Sequence, residues 1–191
     1  EPAQVLLRVL LLQKLAQLSI NDFKVYPLLA GKIPRPERFP VFYHEANDHQ
    51  GALTKLIPDQ PSLERLVHWL EANHKLTASP IITEFVDVSV NGRFRKYGVY
   101  RIGSHIVPAH IIESNHWMVK LGDPDQTEAL EQEELEYVQT NPHEKELMQI
   151  FKLASIDYGR IDYGFSQGRI QVFEINTNPT LLAPGFGTSV R

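Results

Sequence analysis

The sequence predicts an α+β fold in which the strands pair as antiparallel hairpins. The predicted strands in the middle and at the end of the chain follow one another through short turns, which is typical of hairpins. Predicted helices do not alternate regularly with strands, as a parallel sheet would require. The two clearest hairpins join segments 95–102 and 105–112, and segments 158–165 and 169–176.

Four segments have the residue pattern of helices. Residues 3–18 are apolar around most of a helical circumference, which predicts burial between other elements. Residues 62–74 follow Pro61 and repeat leucine and valine along one face. Residues 125–140 are acidic, which is typical of a solvated helix face. A proline begins the last predicted helix, at 142–153.

The other predicted strands are short and lie among loops. Segments 23–29, 39–43 and 80–88 are apolar and extended, and the stretches between them contain Gly, Pro or clusters of polar residues. Asn91-Gly92 is a strong turn dipeptide before the middle hairpin. Gly103-Ser104 forms a predicted two-residue turn within that hairpin.

The composition excludes several classes of site. The 191 residues contain no cysteine, which rules out disulfides, thiolate metal sites, iron–sulfur clusters and a cysteine nucleophile. The net charge of −4, from 19 Lys plus Arg and 23 Asp plus Glu, gives no field that attracts nucleic acid or anionic lipid. We therefore expect a cytoplasmic globular protein without nucleic-acid or membrane partners, of undetermined oligomeric state.

The N-terminal segment has neither the length nor the pattern of a membrane or export signal. Its apolar stretch, residues 5–18, is interrupted by Arg8 and Lys14 and is shorter than the roughly 20 residues that span a bilayer. It also lacks a basic start and a small-residue cleavage site. The chain begins almost inside a predicted helix without an initiator Met, so we expect part of a longer protein.

The last hairpin carries the clearest chemical pattern. Alternation places Glu174 and Asn176 on one face of its second strand. A three-residue turn at 166–168 would put Asp162 on the same face, diagonal to Glu174, whereas a two-residue turn would put it on the opposite face. Two carboxylates and an amide oxygen suit magnesium or manganese that holds phosphates. The alternative is a strand-end Glu that bonds to the turn after it.

A second candidate site lies at the end of an apolar strand. Glu84 interrupts the run Ile81-Ile-Thr-Glu-Phe-Val86. An acid beside free backbone groups at a strand end can bind an adenine edge or a ribose hydroxyl. Glu84, Phe85 and Val86 are therefore candidate nucleotide contacts, and a strand-end Glu with a purely structural role is the alternative.

Basic residues are concentrated on and after the middle hairpin. In a chain of negative net charge this local excess predicts an anionic ligand. Arg95 and Lys96 are adjacent and face opposite sides of a strand, so only one can point into a site. We assign Lys96 and Lys120 as the candidate catalytic cations, and surface charge is the alternative for most of the series. The series comprises Arg93, Arg95, Lys96, Arg101, His105, His110 and Lys120.

Histidine spacing argues against a zinc-dependent hydrolase. His44 and His49 flank a Glu-containing motif that resembles a zinc helix, but they are five residues apart. On a helix they would diverge by about 140°, which prevents shared binding of one ion. His105 and His110 lie on opposite faces of a strand.

Taken together, these motifs resemble the ATP-grasp superfamily over roughly residues 20–180. The most specific element is Asp162 followed by Glu174-Ile-Asn176, which resembles the family's site for two magnesium ions. Glu84-Phe-Val86 resembles the adenine hinge, and Lys96 the basic residue that starts a hairpin strand. Other segments resemble a group of uncharacterised bacterial ATP-grasp-like proteins: Phe39-Pro-Val-Phe, Arg95-Lys-Tyr, Trp117-Met-Val-Lys120 and Gly159-Arg-Ile-Asp-Tyr.

The resemblance implies two α+β subdomains with antiparallel sheets that enclose a nucleotide cleft. Residues 1–20 would be a helix left from a preceding domain, 21–83 a small lid, and 84–191 the larger subdomain with the metal site. The implied cofactors are ATP and Mg²⁺, or Mn²⁺ in its place. The implied partner is a small carboxylate substrate, which is activated as an acyl phosphate and attacked by an amine.

The sequence departs from the family pattern at two places. The family's phosphate-binding lysine follows the small-subdomain strand, where this chain has Tyr43-His44, and the next lysine along the chain is Lys55. The loop at 46–51, usually rich in Gly or Ser, contains one glycine. Two functions therefore stay open: an ATP-dependent carboxylate–amine ligase, and a degenerate fold that serves as a nucleotide-binding or regulatory module without turnover.

Overall fold

The computed structural model describes residues 5–29, 31–47, 51–120 and 127–179. The ends of two predicted helices at 3–4 and 125–126, residues 48–50 of the 46–51 loop and the segment 180–191 lie outside the described residues. The helices and strands, in chain order, are α1 (Arg8–Gln17), β1 (Val25–Pro27), β2 (Val41–Glu45), α2 (Gln60–Ala72), β3 (Pro80–Glu84), β4 (Ser89–Val90), β5 (Arg93–Ile102), β6 (His105–Ser114), α3 (Glu128–Thr140), α4 (Glu144–Ala154), β7 (Tyr158–Ser166) and β8 (Arg169–Asn176).

Within the described residues the strands form two antiparallel sheets. The small sheet has the order β1-β3-β2. In the large sheet β5 lies between β6 and β7, β8 pairs with the other side of β7, and β4 pairs with the start of β5. The α+β prediction is confirmed, and most element boundaries lie within a few residues of their predicted positions. None of the described helices is long and apolar enough to cross a bilayer.

Each sheet has its own hydrophobic core. Helix α2 covers the small sheet with Leu63 and Val67, which pack against Val41 and Ile82. The core of the large sheet is formed with α1, α3 and α4 and contains Leu11, Leu15, Leu130, Leu147, Phe151, Val99, Ile161, Tyr163 and Val172. Because side chains alternate along a strand, the polar residues between these core residues in β5, β7 and β8 lie on the opposite face of the large sheet.

Helix α1 differs from the prediction in two ways. It begins at Arg8, because residues 5–7 are extended and the Leu6 amide donates to the Ala154 carbonyl at the end of α4 (3.1 Å). It is also not buried all round: one face packs on the large sheet, whereas Leu10 and Leu18 on the other side are about half exposed. A helix of this kind needs only one apolar stripe for its packing.

The segment after α1 is tied to the last strand by a two-way amide contact. The Asn21 side chain donates to the Val172 carbonyl (2.9 Å) and accepts from the Val172 amide (2.8 Å). Asn21 thus occupies both backbone groups of one residue at the edge of the sheet, where they would otherwise have no strand partner. The N-terminal segment and β8 are consequently joined in a fixed register.

The turn of the last hairpin is shorter than the three-residue alternative. Ser166 pairs with Arg169, which leaves the two-residue turn Gln167-Gly168, with positive φ at both residues as this turn requires. That turn alone would put Asp162 on the face opposite Glu174. A β-bulge then shifts the register, so that Asp162 pairs directly with Glu174 and Phe173 is the extra residue.

Candidate functional site

A cleft of about 460 Å³ is bounded by both sheets and by the segment that connects them. The small sheet contributes Phe42, His44 and Thr83, and the connecting segment contributes residues 84–86 and Val88. The large sheet contributes Lys96, Arg160, Asp162, Phe173, Glu174 and Asn176, and further lining comes from Arg8, Leu12, Phe23, Gly51, Ala52, Arg95 and residues 117–120. All the predicted site residues therefore line one cleft.

Two adjacent rows across the large sheet place the predicted metal ligands together. In one row His110, Gly98, Asp162 and Glu174 lie side by side, each paired with the next. In the adjoining row Tyr100 pairs with Arg160, and Arg160 pairs with Asn176. Since residues opposite one another in a sheet share a face, the two carboxylates and the Asn176 amide point to one side.

The two carboxylates are neutralised by three cations from different parts of the chain. Asp162 is 2% exposed; it accepts from Arg160 Nε (2.7 Å) and lies 3.2 Å from Lys96 Nζ. Burial by itself raises the pKa of Asp162, but the charges of Lys96 and Arg160 hold it below its ordinary value. Glu174 forms an ion pair with Arg8 of α1.

This donor set fits a hard divalent cation that also binds phosphate. Asp162, Glu174 and Asn176 offer only oxygen ligands, and Mg²⁺ typically binds one or two carboxylates together with phosphate oxygens. No described group of three His, Cys, Asp or Glu side chains could hold a metal ion unaided. The fit is therefore to a cation that arrives with a phosphate ligand, and the described histidines form no zinc site.

Arg8 and Arg160 are site residues that the sequence patterns did not single out. Arg160 could have been found, because it lies two residues before Asp162 and so shares its face of β7. Arg8 gave no local signal, since it belongs to a helix 166 residues away from Glu174.

The buried Glu84 carboxylate accepts hydrogen bonds from other parts of the chain. It is 1% exposed and accepts hydrogen bonds from the Tyr26 hydroxyl (2.8 Å) and from the backbone amides of Lys24, Glu37 and Arg38 (each 3.0 Å). A buried carboxylate requires such donors. They join β1 and the loop at 37–38 to the end of β3, where the connecting segment begins.

Aromatic rings form the wall of the cleft beside that segment. The Trp117 ring lies 5.1 Å from Phe42 and 5.9 Å from Phe85, measured between centroids, and meets Phe85 edge to face. Among the described residues, Val86 has no backbone hydrogen bond. An apolar slot with open backbone groups suits a flat heteroaromatic ring.

His44 belongs to the pair Tyr43-His44, which stands where the resemblance described above implies a phosphate-binding lysine. It lies in β2, and its Nε2 is 2.8 Å from the Thr83 hydroxyl. Burial, reinforced by the charge of Arg8, lowers the pKa of His44 to about 4, so the ring is neutral at pH 7. Lys120 lines the cleft beside Gly51 and contributes a cation from the loop after β6.

Most of the basic series serves other contacts. Arg93 and Arg95 both form ion pairs with Glu113, and Arg95 also pairs with Glu133 of α3. Arg101 donates to the carbonyls of Gly103 and Ile156 and pairs with Asp157. Lys96 and Lys120 line the cleft, where Lys96 pairs with Asp162.

Solved structures with a similar fold include an L-amino acid ligase, a D-alanine–D-alanine ligase and a macrocyclase. An L-amino acid ligase from Bacillus licheniformis has a TM-score of 0.55 and 14% identity, over 90% of this chain and 40% of that protein. The D-alanine–D-alanine ligase from Bacillus anthracis complexed with ATP has 0.52 and 14%, over 88% and 54%. The macrocyclase MdnC from Microcystis aeruginosa, bound with its precursor peptide MdnA, has 0.51 and 18%, over 94% and 55%.

These similarities establish the fold. No family model and no curated protein sequence matches the chain. The similar structures are ATP-grasp ligases, and this chain has the ATP-grasp fold. The chain spans about half the length of the structures it matches, or less.

Replacing Glu84 by Gln should destabilise the fold. The amide can accept on one side only, so at least one buried donor would face an NH₂ group, at a cost of about 1–3 kcal/mol. Urea denaturation measures this as a lower free energy of unfolding. Glu37→Gln is the matched control, because the exposed Glu37 side chain is replaced while its backbone amide still donates to Glu84. Equal stability of the two variants would contradict the role assigned to Glu84.

Acid should destabilise the protein partly through His44. Its pKa of about 4 in the fold lies below the unfolded value of 6.5, so between these values the unfolded chain binds more protons. The free energy of unfolding should fall as pH decreases from 6.5 to 4, by at most about 1.4 kcal/mol per pH unit from this group. His44→Gln, which can still bond Thr83, should show a shallower fall in urea melts. An unchanged slope would place His44 outside this effect.

Proposed function

We propose that this chain, which has the ATP-grasp fold, is the nucleotide-binding part of an ATP- and Mg²⁺-dependent ligase of the carboxylate–amine type. The observation that carries the proposal is the direct pairing of Asp162 with Glu174, beside Asn176, in a cleft that also holds Arg8, Lys96, Lys120 and Arg160. Two carboxylates and four cations give this cluster a net charge of +2, which suits a magnesium-bound nucleotide.

The two ends of the cleft suit the two ends of a nucleotide. Phe85 and Val86, beside the Trp117 and Phe42 rings, would bind the adenine through stacking and open backbone groups. Glu84 would hold this segment in place from behind rather than contact the base. Asp162, Glu174 and Asn176 would bind Mg²⁺, which offsets the charge of the β- and γ-phosphates when bound.

The cations of the cleft would serve the phosphoryl transfer. A substrate carboxylate oxygen attacks the γ-phosphorus, ADP leaves, and an acyl phosphate forms; an amine then displaces phosphate at the acyl carbon. Lys96, Lys120 and Arg160 would offset the negative charge of the transferred group, since such reactions depend on positioning and electrostatic stabilisation. The first step requires no general base.

One observation favours a second candidate, nucleotide binding without turnover. The neutral His44 stands where a lysine would contact phosphate, and its Nε2 already bonds Thr83. A site with one cation fewer would hold the nucleotide less firmly during transfer. The ligase candidate predicts both nucleotide binding and turnover, whereas the degenerate fold predicts no turnover, with or without nucleotide binding.

Nucleotide with Mg²⁺ should stabilise the chain, and Glu174→Gln should abolish the effect. A ligand at a hundred times its dissociation constant adds about 2.7 kcal/mol, which raises the melting temperature by several degrees in a chain of this size. Differential scanning fluorimetry with Mg²⁺ and a non-hydrolysable ATP analogue measures the rise. Glu131→Gln is the control, because Glu131 is an exposed acid of α3. A rise that persists in Glu174→Gln would contradict the metal assignment.

Turnover should be detectable by trapping the acyl phosphate. Hydroxylamine converts an acyl phosphate to a hydroxamate, so ATP, Mg²⁺ and a panel of small carboxylates, including amino acids and short peptides, should give a coloured iron complex. Lys96→Met should lower the rate by at least tenfold without unfolding the protein. Binding without hydroxamate or ADP release across the panel would favour the second candidate.

A further inference from the structure

His110 is a buried histidine whose ring nitrogens are unsatisfied. Neither Nδ1 nor Nε2 has a hydrogen-bond partner among the described residues. The residue is only 9% exposed, and both nitrogen atoms are inaccessible to solvent. Leaving both nitrogens of a buried imidazole unpaired costs free energy, and native proteins rarely retain such groups without a functional reason. The position of His110 in the sheet indicates what that reason is.

Gly98 allows the His110 ring to lie toward Asp162. An ideal Cβ on Gly98 would be 2.5 Å from both Cε1 and Nε2 of His110, so the ring fills the space of the missing side chain. Asp162 is directly opposite Gly98 on the other side. Since Cβ atoms of opposed residues are about 4.5–5.5 Å apart, the Asp162 carboxylate can reach Nε2 by rotating its own side chain.

Two cations currently hold Asp162 away from that contact. Arg160 donates to both carboxylate oxygens, through Nε (2.7 Å) and Nη2 (3.2 Å), and Lys96 pairs with Oδ2. Both cations line the cleft and are the groups that an incoming phosphate would attract. When they turn to a bound anion, Asp162 loses its partners, and the His110 ring, which fills the space above Gly98 beside Asp162, is a donor on the same face of the sheet.

We propose that His110 is a positioning residue, which donates a hydrogen bond from Nε2 to Asp162 when Lys96 and Arg160 transfer to a bound phosphate, and so orients Asp162 toward a divalent cation. The inference rests on the proposed function, because it requires the cation and the phosphate to bind there. It gives the His110 ring a hydrogen-bond partner that the described residues do not otherwise supply. Such a hydrogen bond to a metal-ligating carboxylate fixes its orientation and strengthens metal binding.

The proposal predicts two opposite effects of His110. It should lower the stability of the protein without ligand, and it should raise the affinity for the divalent cation when nucleotide is present. His110→Leu removes both unpaired nitrogens at similar volume, so the melting temperature without ligand should equal or exceed that of the wild type. In the presence of a non-hydrolysable ATP analogue, Mn²⁺ binding measured by electron paramagnetic resonance should weaken about tenfold or more. His110→Gln, whose amide reaches the position of Nε2, should restore most of this affinity.

Controls separate this role from a structural one. His105→Leu changes an exposed histidine of the same strand and should leave Mn²⁺ affinity unchanged. Gly98→Ala should displace the His110 ring and reproduce the loss of affinity, because the added Cβ collides with it. A His110→Leu variant that binds Mn²⁺ as tightly as the wild type, or melts well below it without ligand, would overturn the proposal. If wild-type protein binds neither analogue nor Mn²⁺, the proposed function fails, and the inference fails with it.

Discussion

The β-bulge at Phe173 is the constraint on which the cleft depends. It adds one residue to β8 between the two-residue turn and Glu174, and so restores the face that the short turn would have reversed. Without it Glu174 and Asn176 would point into the hydrophobic core, and Ile175 would point into the cleft. The core face of β8 keeps Val172 and Ile175 only because Phe173 is accommodated on the cleft side, beside Gly164.

Ion pairs connect the elements that line the cleft, and a charged ligand can take the place of one partner in such a pair. Buried pairs of this kind add little net stability, because desolvation offsets most of their attraction. Their value here is geometric, since Lys96 and Arg160 keep the buried Asp162 carboxylate charged and oriented, and Arg8 orients the partly buried Glu174 carboxylate. The three cations lie in α1, β5 and β7, so the geometry of the site depends on how these three elements pack together.

The sequence predicted the elements and the residue types of the site, but not its detailed geometry. Hydrophobic periodicity located the strands, and alternation along β8 placed Glu174 beside Asn176. The register of Asp162 could not be decided, because a bulge depends on packing against neighbouring strands rather than on the turn residues. Arg8 was missed because its partner is remote in sequence. The internal hydrogen bonds of Glu84 could not be predicted, because their donors at residues 24–26 and 37–38 are linked to it by no local pattern.

The contacts of Arg8 with Glu174 and of Asn21 with Val172 have a consequence for how the chain folds. They join residues 166 and 151 positions apart. During synthesis from the N-terminus, α1 and the segment after it therefore cannot make these contacts until β8 has been synthesised. Contacts between residues so far apart in sequence are slow to form. The polar cleft is completed only when β8 docks, so a truncated product ending before β8 would expose apolar surface and invite aggregation.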